Sequence, residues 1–428
     1  MRIIFLSHYF PPEVNAPASR IMEHARIWTK AGHHVTVVTC APNHPAGKLY
    51  PGYRNRLWQN ESIDGINVVR LWTNLSSNER FLRRSLNFMT YFLSATFAAP
   101  FLPRADVVVS TSPQFFCGLA GFTVSRIKRL PWVLEIRDLW PASIIAVGAM
   151  KRGPLVHLLE KLASWSYRTA DRVVALTEAF SRHIVACGAT PERVCVIKNG
   201  VDLTEFVPHR EDKSFARSHG VEEKFVASYV GTHGMAHKLE TVLEAAQLLT
   251  ERNDIAFLMV GGGAERARLV ALKQSMNLNN VIMLDQQPKA IMPDVLNGSD
   301  VSLVLLRKHD LFRTVIPSKM FEAMAMRCPI ILGVEGESRD LLTDAGVGIA
   351  ITPESSQELA AAVTSLADDP NLGDAYGAQG SAYVRNHFDR VKLAERYLEL
   401  LEEVIVEHAR PSLRQARAYD SAHMTDGQ

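Results

Sequence analysis

A chain of 428 residues exceeds what one ordinary core holds, and with 47% hydrophobic and 21% charged residues it reads as a globular protein of two domains. A net charge of +2 and a pI near 8.2 give no basis for nucleic-acid binding. Five scattered cysteines, Cys40, Cys117, Cys187, Cys195 and Cys328, odd in number and without a CxxC pair, read as reduced thiols of a cytosolic protein.

The opening MRIIFLSHYFPPE has a short apolar run and no small-residue cleavage site, so it is expected to be a first β-strand and not a signal peptide. His8, Phe10, Pro11, Pro12 and Glu13 then form a rigid loop where an acceptor or a donor phosphate could approach. Further strands are predicted at 34–40, 68–72, 106–111, 132–136, 172–177 and 194–198, with helical periods between them, as at 18–31 and 154–169. The segment 86–102, LNFMTYFLSATFAAPFL, is nearly free of charge and follows Arg80, Arg83 and Arg84. It is short for a membrane span and contains Asn87 and Pro100. Two readings stay open for it: burial against the sheet, or contact of an apolar face with a bilayer surface.

EIRDLWP ends a strand with Arg137 and Asp138 at its C-terminal edge, and NGVD, from Asn199 to Asp202, is a turn signal. The charged stretch 209–220 lacks apolar periodicity and reads as a linker. A second series of strands follows at 225–231, 256–261, 281–284, 301–306, 329–333 and 348–351. Short β-branched runs alternating with helices predict parallel α/β sheets, here two Rossmann-like domains facing across a cleft. The expected divisions are a first domain at 1–205, a second at 221–385, a helix at about 389–408 packing back on the first domain, and a disordered tail at 409–428.

The run PSKMFEAMAMRCPI, from Pro317 to Ile330, carries the most chemistry. Pro317 can open a helix whose start, at Ser318 and Lys319, favours a phosphate. Glu322, four residues after Ser318, should share its face and accept hydrogen bonds from paired hydroxyls such as those of a ribose. The same spacing also fits a plain core helix with Met320, Phe321, Met324 and Ala325 turned inward. YVGTHGMAHK, from Tyr229, runs from strand to glycine loop to helix, so Gly231 and Gly234 allow an anion close to backbone and Lys238 or His237 can add charge. VGGGAER, from Val260, lacks the GxGxxG spacing and reads as a close-packed strand end. No Walker motif and no Asp-x-Asp occurs, so no metal-bridged diphosphate is suggested and no metal or cofactor is expected.

Together, PSKMFEAMA, NGVD, the Gly231 loop and the PPE loop resemble the retaining GT-B glycosyltransferases of family 4, also called glycosyl transferases group 1, over about residues 1–408. SHYFPPE, PNHPAGKLYPGY, RDLWPAS and PSKMFEAMA are similar to the WbuB-like branch, which builds bacterial O-antigen, capsule or exopolysaccharide. The resemblance implies sugar transfer with retention and without metal, from a nucleotide-sugar donor, usually UDP-linked, to an undecaprenyl-diphosphate-linked acceptor at the inner membrane face. It implies that 1–205 is the acceptor side and 221–385 the nucleotide-sugar side, that Glu322 binds the donor ribose and that Ser318 and Lys319 stand at the phosphate-facing helix start. From the loops themselves, Gly231, Thr232 and Lys238 are expected to join them in donor binding, Arg137 and Asp138 to position donor or acceptor near the reacting carbon, and His8, Pro12, Glu13 and Asn199 to form an acceptor-side or phosphate-facing loop.

Three positions depart from the family pattern. Thr314 stands where the first Glu of its Glu-x7-Glu pattern is usual, Arg137 replaces a His, and Thr232, His237 and Lys238 alter the diphosphate loop. Lys319, Lys238, Arg137 and Arg313 are the cations left to meet a diphosphate. The alternatives to a transferase are a catalytically silent nucleotide-sugar-binding partner in a polysaccharide-synthesis complex and a sugar-nucleotide 2-epimerase.

Overall fold

The structure, a computed structural model, describes residues 1–44, 47–75, 81–112, 114–146, 148, 150–209 and 212–410, with backbone alone at 81–84. The expected tail beyond 410, and Arg80, lie outside the described residues. The chain divides into two compact units: Met1–Lys198 with the segment from Val391, and Asn199–Arg390.

The first unit is built on β1 (Arg2–Leu6), β2 (His34–Cys40), β3 (Trp58–Ile63), β4 (Ile66–Leu71), β5 (Val107–Thr111), β6 (Trp132–Ile136), β7 (Arg172–Ala175) and β8 (Val194–Val196), in the order β3-β4-β2-β1-β5-β6-β7-β8. Every pairing is parallel except β3 with β4. Strands such as VVVST of β5 are buried throughout, as a sheet covered on both faces requires. The sequence reading missed β3. Its residues WQNESI are mostly polar and none is fully buried, as suits an edge strand. The hairpin closes through Asp64 and Gly65, both at positive φ (51° and 80°), the backbone a two-residue turn needs.

The helix Arg390–Ala409 completes this unit. Leu393, Ala394, Tyr397, Leu401 and Val404, spaced at helical period, join Phe5, Trp28, Val37 and Val109 in one core, and the Trp28 indole N–H donates to the Ala394 carbonyl at 2.9 Å. The helix Phe81–Ala98 buries Asn87, Tyr91, Ala95 and Ala98, and the Tyr91 hydroxyl donates to Val38 O on β2 at 2.7 Å. Leu86, Met89, Leu93 and Phe97 of the same helix are exposed. Among the described residues, no helix is long and apolar enough to cross a membrane.

The second unit holds β9 (Phe225–Val230), β10 (Ile255–Val260), β11 (Val281–Leu284), β12 (Val301–Leu305), β13 (Ile330–Gly333) and β14 (Gly348–Ala350), all parallel, in the order β11-β10-β9-β12-β13-β14. The order reverses direction between β9 and β12, so the ends of these two strands open the crevice in which such sheets take ligands. The unit is longer than the expected 221–385. Residues 199–205 belong to it because Val201 N–H donates to Phe388 O at 3.0 Å and Arg390 N–H to Val201 O at 3.1 Å. The described part of 209–220 is likewise no free linker: Ser214–Ser218 is helical, and Ala216 packs with Val221, Val226, Leu258 and Val295.

Candidate functional site

In the second unit the site grows from the end of β9. Tyr229 and Gly231 lie two residues apart and so face the same way. The Tyr229 ring is buried, and its hydroxyl donates to the Thr232 carbonyl at 2.9 Å. Gly231 has φ +141°, and a Cβ on it would lie 2.9 Å from the Lys319 ammonium nitrogen. That nitrogen sits 3.8 Å from the Tyr229 ring centroid, a cation–π contact, and has no hydrogen-bond partner among the described residues. Burial pulls its pKa down to about 7, against the opposing pull of the Glu322 carboxylate.

Lys319 is delivered by the helix Lys319–Ala325, whose apolar side, Met320, Phe321, Ala323, Met324 and Ala325, is buried, as either reading of that helix requires. Phe321 packs on Phe388 with ring centroids 4.4 Å apart. Pro317 does not open this helix as expected. Ser318 is the N-cap and already has helical backbone (φ −58°, ψ −28°), so Pro317 precedes the cap. Met320 N–H donates to Pro317 O and Phe321 N–H to Ser318 O, each at 3.0 Å, a tight turn that engages two amides at the helix start. Positive charge at the site therefore rests more on the Lys319 side chain than on the helix end. The Ser318 hydroxyl accepts from the Asn199 amide at 3.4 Å, which joins the NGVD turn to the cluster. Glu322, half-buried, follows one turn after Ser318, whose carbonyl accepts from its N–H at 3.4 Å.

The close packing anticipated at VGGGAER is present. Gly231 N–H donates to Val260 O at 2.9 Å and His233 N–H to Gly262 O at 2.8 Å. A Cβ on Gly263 would stand 2.5 Å from His233 O, and one on Gly261 would collide with Gly231 O. His233 and His237 line the same loop. Burial first, with Arg266 and then Lys319 adding to it, lowers the His233 pKa to about 4; burial and Lys319 lower that of His237 to about 3. Both rings are neutral at pH 7. Lys238 is not in the cluster. Its ammonium lies 3.5 Å from Glu240, and its left-handed backbone (φ 48°) begins the turn into the helix Glu240–Leu248. Thr314 donates its hydroxyl to Leu311 O at 2.6 Å inside a short 3-10 helix.

In the first unit, Ser112, just past β5, accepts from the N–H of Arg137 at 2.8 Å and from that of Asp138 at 3.4 Å, which fixes the loop after β6. The Arg137 guanidinium donates to Ala16 O at 3.0 Å and stands 3.9 Å from Glu135. It is thus drawn inward to hold the start of the helix Ala16–Lys30, where the loop after β1 ends. Asp138 differs: burial lifts its pKa to about 6, opposed by hydrogen bonds from Ser143 and the Leu139 amide. With Phe115, Trp140 and Tyr167 it lines a cavity of about 20 Å³, room for about one water molecule.

The expected ligand loop after β1 turns inward. His8 is buried, its ring edge-on to those of Tyr9, Phe88 and Tyr91 at centroid distances of 5.1, 4.7 and 5.2 Å. Glu13 is buried and accepts from the backbone N–H groups of Asn43 and His44 at 2.8 and 2.9 Å, clamping the segment after β2. Pro12 alone of the three is exposed. Sequence reasoning did not single out Tyr229; its one signal was its parity with Gly231 on the strand.

The second-unit cluster therefore offers a dry ammonium on an aromatic face, a glycine that leaves space beside it, and a carboxylate one turn on. This is an arrangement for an anion attached to a hydroxylated group. Among the described residues no group of three or more His, Cys, Asp or Glu side chains is placed to hold a metal ion.

Comparison with known proteins gives the family and the fold. A glycosyl transferase 4-like domain matches residues 15–200, and the glycosyl transferases group 1 family matches 211–382. WcaI of Escherichia coli, assigned to colanic acid biosynthesis as a glycosyl transferase, is 23% identical over 85% of this chain and 91% of its own. Among solved structures, sucrose-phosphate synthase of Thermosynechococcus elongatus superposes with a TM-score of 0.77 at 17% identity, covering 95% of this chain and 99% of that one. HepE of Anabaena, solved with UDP-glucose, gives 0.71 at 18% identity, covering 94% of this chain and 100% of its own.

Proposed function

The chain belongs to the glycosyl transferases group 1 family and has the GT-B fold, and from that premise we propose that it moves a sugar from a UDP-linked donor to a lipid-diphosphate-linked saccharide during the building of a bacterial surface polysaccharide. The observation that carries this reading is the buried Lys319 ammonium without a hydrogen-bond partner beside Gly231. A charge in that position is costly until an anion answers it, and a diphosphate is such an anion. WcaI supports the choice of pathway class, and the UDP-glucose complex of HepE the choice of nucleotide.

In this reading the bond between the anomeric carbon and the phosphate oxygen breaks with its electron pair on the departing diphosphate. Lys319 neutralises the charge that develops there. Glu322 accepts hydrogen bonds from the ribose hydroxyls, and the Asn199–Ser318 pair borders the phosphates. The acceptor hydroxyl attacks on the face the diphosphate leaves, so configuration is retained, and its proton passes to the departing phosphate oxygen. His233 and His237, neutral at pH 7, act as polar walls. Asp138 positions the reacting sugar, and Arg137 acts through the loop it holds. Leaving-group charge is met by Lys319, so neither metal nor cofactor is required.

The test is transfer by the purified protein with a panel of UDP- and GDP-sugars and a polyprenyl-diphosphate saccharide. Lys319→Ala and Glu322→Ala should each lose most of the turnover; near wild-type rates in both would overturn the assignment. Turnover abolished by EDTA and restored by Mn²⁺ would remove the metal-free mechanism, and a product of inverted anomeric configuration by NMR would remove retention. Thr314 in place of a carboxylate favours one second reading, a partner that binds donor without turning it over. That reading predicts donor binding by calorimetry with every lipid acceptor left unglycosylated.

A further inference from the structure

The helix Phe81–Ala98 has two apolar sides, and only one faces the core. Tyr91 and Ala95 are 0% exposed, whereas Phe97 is 76% exposed, and Phe101, in the short 3-10 turn Ala99–Phe101 that follows, is 78% exposed. At 3.6 residues per turn, Leu86, Met89, Leu93 and Phe97 fall within a stripe roughly 80° wide and about 17 Å long. Isolated exposed apolar residues are ordinary, but an aligned row of four large ones on one helix, with a fifth in the turn that follows, marks a contact surface.

The charge beside the row says what it contacts. Between Phe81 and Leu134 the chain carries six Lys or Arg and one acidic residue, a local +5 in a protein whose total is +2. The one acid, Asp106, is paired with Arg2 at 2.6 Å. At the far end of the row, Lys128 donates to the carbonyls of Ala99 (3.3 Å) and Leu102 (2.8 Å), which ties the end of the helix Phe115–Lys128 to the Phe101 turn. Ile127 is 46% exposed there, and Arg104, Arg126 and Arg129 are exposed as well. An apolar ridge with cations at its end, and no acid left unpaired in that span, complements a surface that is oily inside and negative at its edge.

We infer that the outer face of Phe81–Ala98, with Phe101, docks this protein on an anionic lipid bilayer, lying along it and not through it. The inference rests on the proposed lipid-linked acceptor for its choice of a bilayer, and it assigns the face that meets it. The full chain should co-sediment with vesicles of phosphatidylcholine and phosphatidylglycerol, weakly with phosphatidylcholine alone, and less as salt rises. Phe97→Ser with Phe101→Ser should lower the bound fraction on anionic vesicles by roughly tenfold or more. Arg104→Glu with Arg129→Glu should erase the preference for the anionic lipid by roughly fivefold or more per charge reversed. Both pairs are exposed substitutions and should leave the melting temperature and transfer to a water-soluble acceptor unchanged. Wild-type protein that ignores both vesicles, or variants that bind as wild type does, would overturn the inference. So would a wild-type dimer that the phenylalanine variants convert to monomer by light scattering, because a second copy would then cover the face. Sedimentation needs neither donor nor acceptor, so its failure leaves the transfer reaction standing.

Discussion

Two buried groups of charge, one in each unit, differ in whether their charge is answered from within. In the first unit Arg20, 2% exposed, meets Glu135 at 3.2 Å and donates to the carbonyls of Ile197 and Lys198 at 3.2 Å, while Glu135 also accepts from the Thr111 hydroxyl. That group is closed: it ties the helix Ala16–Lys30, β5, β6 and the segment after β8 together. In the second unit the Lys319 ammonium nitrogen is buried too, yet it rests on an aromatic face with no hydrogen-bond partner among the described residues. A satisfied buried charge holds a fold, whereas an unanswered one is a standing free-energy cost that a ligand can remove.

The comparison breaks most visibly if the two groups respond alike to substitution. Glu135→Ala strands the Arg20 guanidinium in the core and should destabilise the protein by about 3–5 kcal/mol in denaturant melts, while Arg20→Met with Glu135→Leu recovers most of that loss. Lys319→Met should do the reverse: transfer falls by about 10²–10³-fold in kcat/KM, with a melting temperature equal to or above wild type. A Lys319→Met protein that melts far below wild type would place Lys319 with the structural charges.

A smaller effect concerns Asp138. Its folded pKa of about 6 lies above the ordinary carboxylate value of 3.8, so the folded state holds the proton more tightly than the unfolded chain. The group's contribution is therefore greatest at acid pH and is lost as pH rises from about 4 to 6. Asp138→Asn should melt higher than wild type at pH 8, by about 1–2 kcal/mol, lose that advantage below pH 4, and transfer sugar poorly. Equal melting at pH 8 would show that the carboxylate is answered in solution.

The finest measurement is proton uptake. With Lys319 near pKa 7 in the free protein, an anion that restores its charge must draw a proton from solution above that pH. Calorimetry of donor binding in two buffers of different ionisation enthalpy should register roughly half a proton at pH 7 and more at pH 8, with affinity falling as pH rises. In the absence of donor the sign for stability is opposite. The unfolded lysine keeps its proton up to about pH 10, so this group adds stability as pH climbs from 7 towards 10. Lys319→Arg, which stays charged, should bind donor with no uptake.

The parallel strands were legible because their Val and Ile runs are continuous, as burial on both faces demands. Strand β3 was not, since an edge strand of polar residues carries little apolar signal, although the Asp64–Gly65 turn announced its hairpin. Ser318, Lys319 and Glu322 were readable as a local motif, because helical spacing alone places them. Their meeting with Gly231 and Asn199 followed from the rule that ligands gather at strand ends where a sheet reverses order. Tyr229 was hidden because an aromatic in a strand reads first as core. His8 and Glu13 were misplaced for a related reason: whether a loop after a strand turns outward depends on what covers it. Here Phe88 and Tyr91, some eighty residues on, enclose His8, and Asn43 and His44 engage Glu13.

The helix Arg390–Ala409 has a consequence for synthesis. Because Trp28 and Phe5 share a core with Leu393, Tyr397 and Leu401, the first unit stays unsealed until the helix Arg390–Ala409 has left the ribosome. The second unit, continuous from Asn199 to Arg390, can mature before it. A chain cut just after Arg390 would therefore leave a finished second unit tethered to a first unit with an oily gap, a species that chaperones and proteases would meet first.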